Sequence, residues 1–187
     1  MIISIVINFL KACKRVQVER GKAMKYKQYV EQSIREFEAY KPKWNYEDGC
    51  VLQGSAYLYD VTGDELFKDF IMGYLEEFIS EDGSIKGYSK EEYNIDSVQA
   101  GRILFHAMQW YPEAKQYRIA ADTIREQLDT QPRLSIGNFW HKKIYPYQLW
   151  LDGLYMGQPF YAKYDTVFGN KENYRDIQEQ FENVRTY

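Results

Sequence analysis

Asp152 is the one acidic side chain in KKIYPYQLWLDGLYMGQPFYAKY, residues 142–164, a run otherwise dense in aromatics. Tyr145, Tyr147, Trp150, Tyr155, Phe160 and Tyr161 lie around it in sequence. An ionised carboxylate in apolar surroundings costs several kcal/mol unless it is paired, hydrogen-bonded or protonated. Two readings meet that cost. Asp152-Gly153-Leu154 can cap a helix, or Trp150, Tyr155 and their neighbours desolvate the carboxyl and keep it as a proton donor near neutral pH. Asp96, in EYNIDSVQAGRIL, poses the same choice. Asp96-Ser97-Val98-Gln99 has the form of a capping box, yet Tyr93 and Asn94 precede it in a loop of the same character.

His141 follows Phe139-Trp140 and precedes Lys142-Lys143. A histidine in a loop suits a hydrogen bond to a sugar hydroxyl or to a catalytic carboxylate. His106, inside a helical pattern, reads as a structural histidine with its hydrogen bonds met. Two histidines exclude a multi-histidine metal centre, and no metal is expected. Trp44 and Trp140 fit either of two uses, stacking on a sugar face or plugging the end of a helical array. No glycine-rich phosphate loop, nucleophile elbow or zinc-binding helix occurs, so no cofactor is expected.

The chain that must position these groups has 187 residues, enough for one domain with a sizeable core. It is 45% hydrophobic and 27% charged, which excludes disorder as a description of the whole. A net charge of -3 gives no electrostatic case for nucleic acid or an anionic membrane. Cys13 and Cys50 fit neither a disulfide framework nor a metal-ligand spacing, and read as reduced thiols of a cytoplasmic protein. MIISIVINFLKACKR lacks a basic segment before its apolar run and a small-residue cleavage site after it. That run is also too short to span a bilayer. Residues 1–22 are therefore expected to be an extension.

A helix-turn-helix plan recurs along the chain. Residues 54–79 carry it around Gly63-Asp64, 101–128 around Tyr111-Pro112-Glu113, and 153–184 around Gly169-Asn170. An aromatic follows each turn, at Phe67, Tyr117 and Tyr174, spaced by 50 and 57 residues. The first helix of each copy is apolar and rich in small residues; the second carries its charges on one face. Inner and outer helices in antiparallel pairs predict an all-α fold, either an α/α toroid or an α-solenoid. The connections 41–49, 80–100 and 129–152 each join an outer helix to the next inner one. All three should emerge at one end, bringing Trp44, Tyr46, Tyr88, Tyr93, Asp96, Trp140, His141 and Asp152 to one rim.

The stretches KWNYEDG, DGSIKGY, EYNIDSVQAGRIL and FWHKKIYPYQLWLDGLYMGQPFYAKY together resemble the unsaturated rhamnogalacturonyl hydrolases, glycoside hydrolase family 105, from about Trp44 to Tyr164. That resemblance implies an (α/α)6 barrel of six helical hairpins. It also implies removal of the 4,5-unsaturated galacturonyl residue from pectin-derived rhamnogalacturonan fragments. On its terms Asp152 is the general acid, Asp96 the second carboxylate, and Tyr46 and His141 contact the unsaturated sugar. A related unsaturated glucuronyl hydrolase, or a non-catalytic helical module binding a partner on its concave face, are the other readings. About three hairpins are present, so residues 1–187 are expected to form the N-terminal half of such a barrel, an incomplete toroid. Such a half, inactive by itself, would expose inner apolar surface and self-associate.

Overall fold

The computed structural model describes residues 20–186, and the chain divides into two compact units, residues 1–38 and 39–187. In the first unit α1 (Arg20–Arg35) carries the i,i+4 pair Lys27–Glu31 at 3.3 Å. The expected extension lies, up to residue 19, outside the described residues, as does Cys13. No helix among the described residues is long and apolar enough to cross a membrane.

The second unit is the anticipated series of helical hairpins. The first pairs α2 (Tyr46–Thr62) with α3 (Glu65–Phe78). Its turn is written in two residues. Gly63 ends α2 at φ 69°, a left-handed conformation that costs glycine little, and Asp64 caps α3 by accepting the Leu66 N–H. The second hairpin starts with α4 (Ile95–Ala100), passes through a 3₁₀ turn (Gly101–Ile103), and continues as α5 (Leu104–Trp110). It returns through α6 (Lys115–Thr130). The third pairs α7 (Leu151–Val167) with α8 (Tyr174–Thr186), and α7 runs through Pro159 without ending. All three inner helices begin earlier than their apolar cores suggest, at Tyr46, Ile95 and Leu151, so the connections are shorter than expected.

The outer helices bury one stripe each. In α3 it is Phe67, Ile71, Tyr74, Leu75 and Phe78; in α6 it includes Tyr117, Ala120, Ala121, Ile124 and Leu128. At about 25 cal/mol per Å² of apolar area, such stripes dominate the stability of the unit. Helix α4 packs between α2 and α7, so the inner helices lie side by side. Their approach is close: a Cβ at Gly49 would meet Ala100 Cα at 2.7 Å, and one at Gly157 would meet Ile95 Cδ1 at 2.9 Å. Among the described residues there are isolated bridges, such as Ile79 with Ile85, but no named strand.

Two polar knots tie the connections to the helices. At the end of α6, Gln131 Nε2 donates to the carbonyls of Tyr93 (2.8 Å) and Trp140 (2.9 Å), binding the second and third connections together. Against α8, Gln180 Oε1 accepts from Gln158 Nε2 (2.9 Å) and from the Phe139 N–H (3.2 Å), while its carbonyl accepts from Asn138 Nδ2 (2.8 Å). Buried amides hydrogen-bonded on this scale fix a loop more tightly than its lack of regular structure suggests.

Candidate active site

The three connections line one cleft of about 430 Å³, bounded by Lys41–Glu47, by Gly87 and Glu92–Ser97, and by Lys142–Asp152. Asp96 and Asp152 line this cleft, and with the buried His141 each offers a ligand atom, all within 4.8 Å of one another. Tyr46 opens α2 at the same cleft, and Trp150 lines it from the third connection.

Asp96 is not a helix cap. Asn94 caps α4, its side chain accepting the Asp96 N–H at 3.2 Å, and Asp96 falls in the first turn. Asp96 is buried, 7% exposed as a residue, and its carboxylate is free for charge partners. Lys142 Nζ lies 2.6 Å from Oδ2, and His141 Nε2 lies 3.2 Å from Oδ1. The second approach is off line: neither Asp96 Oδ1 nor His141 Nε2 completes a hydrogen bond, although both atoms are buried. Burial pushes the Asp96 carboxyl up, but His141 and Lys142 outweigh it and hold the group below the usual carboxylate range. Asp96 is therefore an anion at neutral pH.

His141 is 2% exposed and locked from every side. Its carbonyl accepts the Ile95 N–H at 3.0 Å, its N–H donates to Gln148 O at 2.8 Å, and its ring stacks on Trp150 at 4.3 Å. Gly153 makes room for it, since a Cβ there would sit 3.1 Å from Nδ1. Trp150 also stacks on Tyr145 at 5.2 Å, so the third connection reaches the cleft as one aromatic pile.

Asp152 differs from the expectation of a desolvated carboxyl. It lies in the first turn of α7, which has no side-chain cap, and it is exposed. The physical reason is where the aromatics go. Trp150 is spent on His141 and Tyr145, and Tyr155 turns to Arg102, whose Nη1 donates to its hydroxyl at 3.2 Å. Neither ring is then left to cover Asp152.

The tryptophans also divide. Trp44 borders the cleft but is 2% exposed, with Nε1 donating to Ser97 O at 2.9 Å and its ring against Tyr74. It fills the end of the array and presents no free face. Trp140 does not line the cleft; its ring packs on Tyr147 at 4.6 Å. Tyr88 likewise turns inward, its hydroxyl donating to Gln127 at 2.7 Å. Tyr46 is half-buried beside Glu47, whose charge is the main cause raising its hydroxyl pKa, with burial next. His106 is half-buried against Gln53 at 3.3 Å and away from this cleft, as a structural histidine should be.

Sequence reasoning passed over Lys142, the charge partner of Asp96, and Lys41 and Lys43 on the cleft wall. A basic pair directly after His141 was the available signal.

The sequence pattern of Glycosyl Hydrolase Family 88 matches residues 17–187. The chain is similar to a solved structure, described as Structural Analysis of C. acetobutylicum ATCC 824 Glycoside Hydrolase From Family 105. The two share 42% identity and a TM-score of 0.77, over 82% of this chain and 43% of that one. This chain thus spans less than half the length of that relative. With a helical-hairpin fold, a rim of paired aspartates and a family pattern running through residues 17–187, the chain belongs to Glycosyl Hydrolase Family 88.

Proposed function

We propose that this chain carries the proton-transfer pair of an unsaturated uronyl hydrolase acting on rhamnogalacturonan fragments, and that Asp152 and Asp96 are that pair. The observation that supports the reading is the convergence of Asp96, His141 and Asp152 within 4.8 Å at a cleft walled by lysines. The two carboxyls stand in unlike settings: Asp96 is buried and paired with Lys142, whereas Asp152 is exposed and open to substrate. The resemblance to family 105 supports the sugar.

The 4,5-unsaturated sugar is a vinyl ether. Protonated Asp152 delivers its proton to C4, and the double-bond electrons form the new C–H bond. This leaves an oxocarbenium-like cation at C5. Water adds at C5 and its proton returns to the Asp152 carboxylate. The resulting hemiketal opens and releases the leaving-side sugar. Asp96 orients the water, held by Lys142 and by the buried His141. Tyr46 and Trp150 stand where they can contact the ring, and Lys43, with no carboxylate partner among the described residues, suits the uronate group.

The test follows the ultraviolet absorbance of the conjugated double bond. Unsaturated rhamnogalacturonan disaccharide should be consumed faster than a glycosaminoglycan-derived glucuronyl disaccharide. The reverse preference would replace the substrate and keep the chemistry.

A further inference from the structure

We propose that Asp96, His141 and Asp152 form a site for a transition-metal dication of the zinc class, and that its occupancy masks the proton-transfer pair. A set of one histidine and two carboxylates is a different case from the multi-histidine centre that the sequence excludes. Three observations carry it.

The first is spacing. Asp96 Oδ1 and His141 Nε2 are 3.2 Å apart. Two ligands on a tetrahedral ion at about 2.0–2.1 Å stand about 3.3 Å from each other. The pair therefore already forms one edge of a coordination tetrahedron. An Asp152 oxygen lies within 4.8 Å of both, and Asp152 is exposed, so a rotamer change closes the remaining gap.

The second is the state of those atoms. Asp96 Oδ1 and His141 Nε2 are both buried and neither has a hydrogen-bond partner. His141, 2% exposed, is aimed at Asp96 and cannot turn away, because Trp150 covers one ring face and Gly153 backs Nδ1. Buried donors and acceptors left orphaned are rare, and a cation resolves both at once.

The third is charge. Lys142 occupies Asp96 Oδ2 and leaves Oδ1 open. Its ammonium opposes a dication, and His141 Nδ1 has no acceptor behind it to strengthen the imidazole as a ligand. Affinity is consequently modest. One nitrogen and two oxygens favour Zn²⁺ over Mg²⁺ or Ca²⁺, which demand six or more oxygens.

Binding stands on this geometry; the masking of the pair rests on the hydrolase reading. The test reads the binding. The full 187-residue chain, with Cys13→Ser and Cys50→Ser to remove thiol ligands, is stripped with chelator and titrated with zinc chloride. Calorimetry and tryptophan fluorescence, to which Trp150 stacked on His141 contributes, report binding. One zinc per chain is expected, reversed by chelator, with magnesium chloride giving no response. Asp152→Asn, at an exposed position, should bind at least about tenfold more weakly. Asp96→Asn should do the same. No zinc binding, or zinc binding unchanged in both variants, overturns the proposal and leaves the hydrolase reading to its own assay.

Discussion

Replacing Lys142 with methionine takes the ammonium away from Asp96 and keeps an unbranched apolar stem. The two groups meet at 2.6 Å, with side chains 22% and 10% exposed. An exposed ion pair contributes about 0–1 kcal/mol, whereas stripping the partner from a buried charge costs about 3–5 kcal/mol. At this intermediate depth the cost of Lys142→Met is about 2 kcal/mol. In a unit of this size each kcal/mol moves the thermal midpoint by roughly 2–4 °C, so the variant should melt about 4–8 °C lower at pH 7. The sign with pH follows from Asp96. Its folded-state carboxyl titrates below its ordinary value, so its pairing stabilises the fold above the unfolded pKa of about 3.9. That stabilisation is lost as pH falls through the lower, folded value. The gap between native chain and variant should hold steady from pH 7 to about 5 and close below about 4. Calorimetric scans across that range provide the measurement. A gap that is absent at pH 7, or undiminished in acid, refutes Lys142 as the charge partner.

Gly49→Ala and Gly54→Ala, on the same helix, should move stability in opposite directions. A Cβ at Gly49 would meet Gln99 Oε1 at 2.3 Å and Ala100 Cα at 2.7 Å, costing about 1–3 kcal/mol. At Gly54 nothing lies within 4 Å, so alanine gains about 0.5–1 kcal/mol in denaturant titrations. Gln180→Leu strands the Phe139 N–H and the Gln158 amide, at about 1–3 kcal/mol, and amide exchange should speed up through residues 133–141. Asn94→Ala removes the cap of α4 and costs about 1 kcal/mol, while Asp96→Asn leaves that cap intact; equal effects of the two on helix stability would return Asp96 to a capping role.

Much of the fold was legible because local chemistry and packing agree. Gly63-Asp64 can end one helix and start another in only a few ways, and the stripe Phe67, Ile71, Tyr74, Phe78 has only one face to bury. The site was legible at the level of which loops meet. Side-chain direction was not. In the irregular third connection Trp140 and His141 are neighbours, yet one faces Tyr147 and the other Asp96, and no periodicity announces that alternation. A capping role stayed open for Asp96 because Asn94 and Asp96 are equally good caps. The choice fell to Asn94 once the Ile95 N–H was taken by the His141 carbonyl and Ile95 itself was buried. The exposure of Asp152 depended on which partners Trp150 and Tyr155 chose, a tertiary outcome.

The central claim is that Asp152 transfers a proton to an unsaturated sugar in the cleft it shares with Asp96. It is tested most directly by grafting residues 39–187 in place of the matching stretch of the C. acetobutylicum family 105 enzyme and measuring turnover of unsaturated rhamnogalacturonan disaccharide. The graft should consume the double bond, and Asp152→Asn within it should slow the rate by about 10²–10⁴-fold while the melting temperature stays unchanged. An active graft whose Asp152→Asn variant turns over at the same rate would contradict the account.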